Sequence, residues 1–108
     1  MGDTAEKCAR ELTNAGADIV GANCGDLDPG QIAAIVSILG SNTELPILAQ
    51  PNAGKPRLIE NKTIFDMEPD DFVKGISQCI QAGARIVGGC CGTTPGHIQA
   101  VAEMLKQK

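Results

Sequence analysis

Aromatic side chains are almost missing from this chain. It has no tryptophan, no tyrosine and only two phenylalanines, Phe65 and Phe72, in 108 residues. Its core must therefore be built from Ile, Val, Leu, Ala and Met. Basic residues are also in the minority. Nine Lys and Arg stand against thirteen Asp and Glu, for a net charge of −4, which argues against a nucleic-acid partner that would call for a basic patch. No apolar run approaches the ~20 residues of a membrane span. The opening Met1-Gly2-Asp3-Thr4-Ala5-Glu6 is acidic and lacks the basic and apolar regions of a secretory signal. A cytoplasmic location with no membrane contact is expected.

What is present is a chain of one domain or part of one, 43% hydrophobic and so rich enough for a core. Five cysteines are an odd number, and two of them, Cys90 and Cys91, are adjacent. Adjacent cysteines seldom pair with each other, because disulfide geometry is demanding. A reducing compartment with metal-binding or catalytic thiols fits this pattern better than a disulfide scaffold.

Helical spacing of Ala5, Cys8, Ala9 and Leu12 predicts a helix over 3–15, stopped at Gly16. A short buried strand follows over 19–22. Asp28 can cap a second helix with Pro29 in its first turn, running to Gly40. A second strand is predicted over 46–50, ended by Pro51-Asn52-Ala53-Gly54-Lys55-Pro56, and an irregular or hairpin segment over 58–65 around Asn61-Lys62. Glu68-Pro69-Asp70-Asp71 opens a third helix that stops near Gly83, with acidic residues favourable in its first turn. A third strand over 85–88 and a last helix from Thr94 complete the order αβαβαβα. Such alternation implies a parallel sheet. The segments Asn14-Ala15-Gly16-Ala17-Asp18-Ile19-Val20-Gly21 and Gln81-Ala82-Gly83-Ala84-Arg85-Ile86-Val87-Gly88 are nearly superimposable. Each reads as a helix end, a Gly-Ala turn and a strand, which suggests a repeated βα unit as in a (β/α)8 barrel. Three strands and four helices are under half of such a barrel of ~250 residues.

All three strands lead into glycine-rich loops, and parallel sheets place their sites at the carboxyl ends of the strands. Cys24, Asn52, Cys90 and Cys91 all fall there. Three thiolates presented from strand ends can hold a zinc ion and leave its fourth position open to water or substrate. Cys8 and Cys79 lie on apolar helix faces and read as small buried core residues. His97 is open to two readings, a fourth metal ligand or a partly exposed residue of the first helical turn. Asp70 and Asp71 are sufficiently explained by a helix start, whereas for Asn52 ordinary turn chemistry is one of two open readings. Gly88-Gly89 and Gly92 lack the full spacing of a P-loop or dinucleotide fingerprint.

The runs Gly21-Ala22-Asn23-Cys24-Gly25, Pro51-Asn52-Ala53-Gly54-Lys55-Pro56 and Gly88-Gly89-Cys90-Cys91-Gly92-Thr93-Thr94-Pro95 resemble the carboxyl-terminal part of the homocysteine S-methyltransferase domain, with the Pro-Asn-Ala-Gly loop most like the cobalamin-dependent branch. The resemblance implies a (β/α)8 TIM barrel of which 1–108 would be a partial, homocysteine-binding domain: the last three βα units and the preceding helix. It implies that Cys24, Cys90 and Cys91 are zinc ligands. It also implies that Asn52 matches a loop asparagine able to lie at the metal when homocysteine is absent. A free thiol, with a pKa of about 8.5, is mostly protonated at neutral pH, and the thiolate is the nucleophile. Zinc would take the homocysteine sulfur as fourth ligand, displace its proton and ready it for a methyl donor such as methylcobalamin, held on a corrinoid domain or protein.

The amino-terminal strands of such a barrel have no counterpart in these residues. The apolar side chains of Ile19, Ile47 and Ile86 would then lack partners, and a partner chain supplying the other barrel half, or self-association, is expected. The alternative from another class is a non-catalytic metal-binding or assembly module that needs a partner chain.

Overall fold

The computed structural model describes residues 4–23, 27–54 and 57–107. Along the chain these form α1 (Ala5–Asn14), β1 (Val20–Asn23), α2 (Pro29–Asn42), β2 (Ile47–Gln50), β3 (Arg57–Ile59), β4 (Lys62–Ile64), α3 (Pro69–Gln81), β5 (Ile86–Val87) and α4 (Pro95–Lys106).

The helix starts follow from local chemistry. Thr4, Asp28 and Thr94 each accept the backbone N–H three residues on, which satisfies a donor that the helix itself leaves unpaired. At α2 and α4 the third helical residue, Gln31 or His97, bonds back to the cap and closes a capping box. α3 has no side-chain cap bond and carries Asp70 and Asp71 in its first turn instead.

The sequence repeat is also a structural repeat. α1 ends with Gly16 N–H donating to the Thr13 carbonyl and Ala17 N–H to the Leu12 carbonyl, and α3 ends with Gly83 to Ile80 and Ala84 to Cys79. Both glycines hold positive φ, 100° and 122°. This is the Schellman arrangement, for which glycine is the least strained residue. It turns the chain twice, in the same way, from a helix into a strand.

β1, β2 and β5 pair in parallel in the order β1-β2-β5. Val20 faces Ile47, Gly21 faces Leu48, Ala22 faces Ala49 and Asn23 faces Gln50; Leu48 and Ala49 face Ile86 and Val87. Side chains alternate across a strand. Val20, Ile47 and Ala49 are buried in one cluster with Ala9 of α1, Ile32, Val36 and Leu39 of α2 and Cys79 of α3. Gly21, Asn23 and Ile86 are exposed on the other face. A second cluster, Ala53, Phe72, Ile76 and Val101, joins α3 and α4 to the loop after β2. The result is a slab with extents of 43 × 37 × 18 Å, an open parallel sheet with helices packed on one face, consistent with part of a (β/α)8 barrel.

Several boundaries differ from those read in the sequence. α2 continues through Gly40 to Asn42, because Gly40 packs towards Ile47 instead of ending the helix. The first strand lies one residue later, and the last is only Ile86–Val87. The hairpin β3–β4 turns at Glu60 and Asn61, both at positive φ (49° and 64°). That is the two-residue turn matching strand twist, one residue before the expected place. Ile47 was expected to lack partners but is 3% exposed beneath α2, whereas Ile19 and Ile86 are 47% and 42% exposed. Among the described residues no helix is long and apolar enough to cross a membrane.

The bare face and the two unpaired edges, β1 and β5, should drive self-association of the 108-residue chain. Sedimentation velocity at micromolar concentration is expected to show a dimer or larger species. A compact monomer with a cooperative melt would contradict this.

Candidate metal centre at the strand ends

Three strands running in parallel deliver their carboxyl ends to one edge of the sheet. Beyond β2 the chain forms Pro51-Asn52-Ala53-Gly54, every residue of which is buried. Beyond β5 it forms Gly88-Gly89-Cys90-Cys91-Gly92-Thr93. Three hydrogen bonds clasp these loops together: Cys90 N–H to the Pro51 carbonyl (2.9 Å), Ala53 N–H to the Cys91 carbonyl (3.0 Å) and Cys91 N–H to Asn52 Oδ1 (3.0 Å). The parallel ladder thus continues in irregular form past the last paired residues and fixes both cysteines against the loop from β2.

A tight turn then carries the chain into α4, closed by Thr93 N–H donating to the Cys90 carbonyl at 3.2 Å. Gly92 occupies its third position at φ 79°, where a positive φ favours glycine. A β-carbon there would also run into the Phe65 side chain. Phe65, at the end of the hairpin, therefore seats directly on the turn that follows the cysteine pair.

Cys90 is half-buried and Cys91 exposed. Asn23, the last residue of β1, points its Nδ2 at Cys90 Sγ across 3.8 Å. This contact spans β2 and brings the end of β1 to the cysteine pair. Cys24 follows Asn23 in the chain but lies outside the described residues, as does its place in the site. Among the described residues no three His, Cys, Asp or Glu side chains cluster as a metal site. The thiols of Cys90 and Cys91 are of a type that zinc takes, and Cys24 is next in sequence to Asn23, which contacts Cys90.

Asn52 is 1% exposed and its side-chain oxygen takes the Cys91 amide, so turn chemistry alone does not describe it. His97 departs from the expectation of a partly exposed residue. It is 7% exposed, with Nδ1 on Thr94 and Nε2 on the Met67 carbonyl at 2.6 Å. Its N3 place after a capping threonine was a sequence signal for the bond back to Thr94 but not for its burial, since Gln31 in the same place of α2 is exposed. Asn23 had no such signal, since its contact crosses from β1 to β5. Asp70 and Asp71 are exposed in the first turn of α3, with Asp71 4.0 Å from Lys74. Cys8 is half-buried, against the expectation of a buried core residue, and Cys79 is fully buried.

Comparison with known proteins points to one family. The sequence profile described as homocysteine S-methyltransferase matches residues 1–105. The chain is 35% identical over 88 residues to a methionine synthase of Mycobacterium leprae, which covers 81% of this chain and 7% of that protein. It is 31% identical over 111 residues to homocysteine S-methyltransferase 4 of Zea mays and 34% identical over 111 residues to homocysteine S-methyltransferase 3 of Arabidopsis thaliana. Those matches cover 98% and 99% of this chain, and 32% and 31% of the plant proteins. The chain thus spans a third or less of the length of these relatives.

Cys79 serves as a contrast to the pair at the strand ends. Burial pushes its thiol up to about 11 from an ordinary 9.0, and its Sγ donates to the Pro29 carbonyl at 3.4 Å. In the unfolded chain this thiol ionises near 9, whereas in the folded chain it stays protonated. Its contribution to stability is therefore full below about pH 9 and is lost as pH rises towards 11. At pH 8 iodoacetamide is expected to label the metal-free chain at Cys90 and Cys91 well before Cys79, as read by peptide mass spectrometry.

Proposed function

The chain belongs to the homocysteine S-methyltransferase family, and from that premise we propose that it carries the zinc-binding, thiol-activating end of an enzyme that methylates homocysteine to methionine. Its three parallel strands would be the last three βα units of a (β/α)8 barrel. Cys24, Cys90 and Cys91 would hold zinc, which when bound supplies a Lewis-acidic fourth position where the homocysteine sulfur loses its proton. The observation that carries this reading is the approach of the Asn23 amide to Cys90 Sγ, 3.8 Å. It joins the Asn23 end of β1 to the double-cysteine turn in space, as three ligands from two strands would require.

The chain's own residues have definable parts in this proposal. The clasp from Pro51, Asn52 and Ala53 keeps the Cys90-Cys91 backbone fixed, so little ordering remains to be done when a metal binds. Asn52 holds the Cys91 amide through Oδ1, and in the absence of substrate it would make a labile contact with the metal. The likeness to a methionine synthase supports methylcobalamin, carried on a corrinoid domain or protein, as the methyl donor. Contacts to the amino and carboxylate groups of homocysteine would come from barrel strands beyond these three. The bare sheet face, with Gly21 and Ile86 exposed, favours as second reading a metal-binding module completed by a partner chain.

Cobalt substitution tests the ligand set. The cobalt-loaded chain should show a thiolate-to-metal charge-transfer band that weakens in each of Cys24→Ser, Cys90→Ser and Cys91→Ser. A band that all three variants leave unchanged would refute the assignment. X-ray absorption on the zinc-loaded chain should show its sulfur coordination rise from three towards four in excess homocysteine, with no methionine formed from methylcobalamin by this chain alone. Turnover by the isolated chain would show that the other strands are dispensable.

A further inference from the structure

His97 is a buried polar side chain that the proposed chemistry does not use. Its ring stands edge-on to Phe72, with centroids 5.3 Å apart, and both ring nitrogens are engaged. The Thr94 backbone N–H lies 3.2 Å from Nδ1 and can only donate, so Nδ1 must be the acceptor. The Thr94 hydroxyl, 2.7 Å away, donates to the same nitrogen. The ring proton is therefore on Nε2, where it is given to the Met67 carbonyl at 2.6 Å. The tautomer follows from the donors around the ring.

Met67 lies between the hairpin and α3, outside any strand or helix. Its N–H in turn meets the Ala53 carbonyl at 3.4 Å, and Ala53 N–H donates to the Cys91 carbonyl at 3.0 Å. Ala53 is fully buried and belongs to the same cluster as Phe72. A path of hydrogen bonds thus runs from the first turn of α4 through Met67 and Ala53 to Cys91, while the backbone from Cys91 to His97 closes the ring covalently. Cys91, Gly92 and Thr93 of the cysteine turn form part of this ring, and Cys90 adjoins it. An apolar residue at 97 would satisfy the packing against Phe72 and leave the Met67 carbonyl without its donor.

We propose that His97 is a positioning residue: through Met67 and Ala53 it fixes the Cys90-Cys91 turn in the geometry that a metal needs, without touching the metal itself. The role in metal binding rests on the reading of Cys24, Cys90 and Cys91 as ligands; the role in holding the turn does not.

Three variants of the full chain test it. His97→Phe keeps a ring beside Phe72 and removes all three hydrogen bonds of the imidazole. His97→Gln can cap Thr94 with its oxygen and reach Met67 with its N–H. His97→Asn has the same amide one methylene shorter and falls short of Met67. Amide hydrogen exchange of the metal-free chain is the first readout. Exchange at Ala53 and Cys91 should rise about tenfold in the Phe and Asn variants, as expected for loss of one buried hydrogen bond. It should stay near wild type in the Gln variant and be unchanged throughout at Val36. Cobalt affinity, by competition with a chelator, should fall about tenfold in the Phe and Asn variants and recover with Gln. Unchanged exchange at Ala53 and Cys91 in the Asn variant overturns the proposal, and this comparison remains if His97→Phe does not fold. A changed exchange with unaltered cobalt affinity overturns its metal part. Cobalt binding that is absent from the wild-type chain would refute the ligand assignment instead, and the exchange result would still decide whether His97 holds the turn.

Discussion

Cys90 and Cys91 are fixed in place by the neighbouring loop more than by their own strand. β5 pairs over two residues, Ile86 and Val87, too few to set the direction of a glycine-rich continuation. Past that point the backbone is held by Pro51, Asn52 and Ala53, each contributing one hydrogen bond to the cysteine pair. Both sides of the clasp are backbone groups except Asn52 Oδ1. An asparagine is what this place needs: a short side chain whose carbonyl reaches sideways to an N–H that no strand partner satisfies.

The clasp is in turn seated on the helices. Ala53 is buried with Phe72, Ile76 and Val101, and Phe65 packs on Gly92, so the loop from β2, the hairpin and the start of α4 share one support. α3 is pressed close to the start of α2, where a β-carbon at Gly75 would collide with Pro29 and Cys79 bonds the Pro29 carbonyl. The two helix cysteines therefore differ in kind. Cys79 is a packing residue with a suppressed acidity, and Cys8 is a half-buried helix residue.

Membership of the family explains why a chain this short has such a specific constellation at one edge and so little beneath it. It spans about a third of the plant homocysteine S-methyltransferases and 7% of the mycobacterial methionine synthase it matches. Within that span α1, α2 and α3 pack on one face of the sheet, and α4 packs on α3. The opposite face, where Gly21, Leu48 and Ile86 form one row and Asn23 and Gln50 the next, is the face a closed barrel would turn inward. The proposed centre lies at the rim of that face, at the ends of its strands.

Much of this was legible from the residues alone. The alternation of elements, the caps at Asp28 and Thr94 and the paired Gly-Ala turns are local chemistry: each depends on residues within one turn of one another, and the chain states them directly. The glycine-flanked cysteines at strand ends, and through them the family, were likewise plain in the sequence. Tertiary structure alone decided the rest. Whether Gly40 ends a helix or lets it pass over Ile47, and whether Ile47 is covered while Ile86 is not, depend on which face of the sheet the helices occupy. The clamp of Asn52 on Cys91, the amide of Asn23 beside Cys90, and the burial of His97 against Met67 join residues about thirty to seventy positions apart. Such contacts come from stacking three strands in register, and no periodicity within a single segment encodes them.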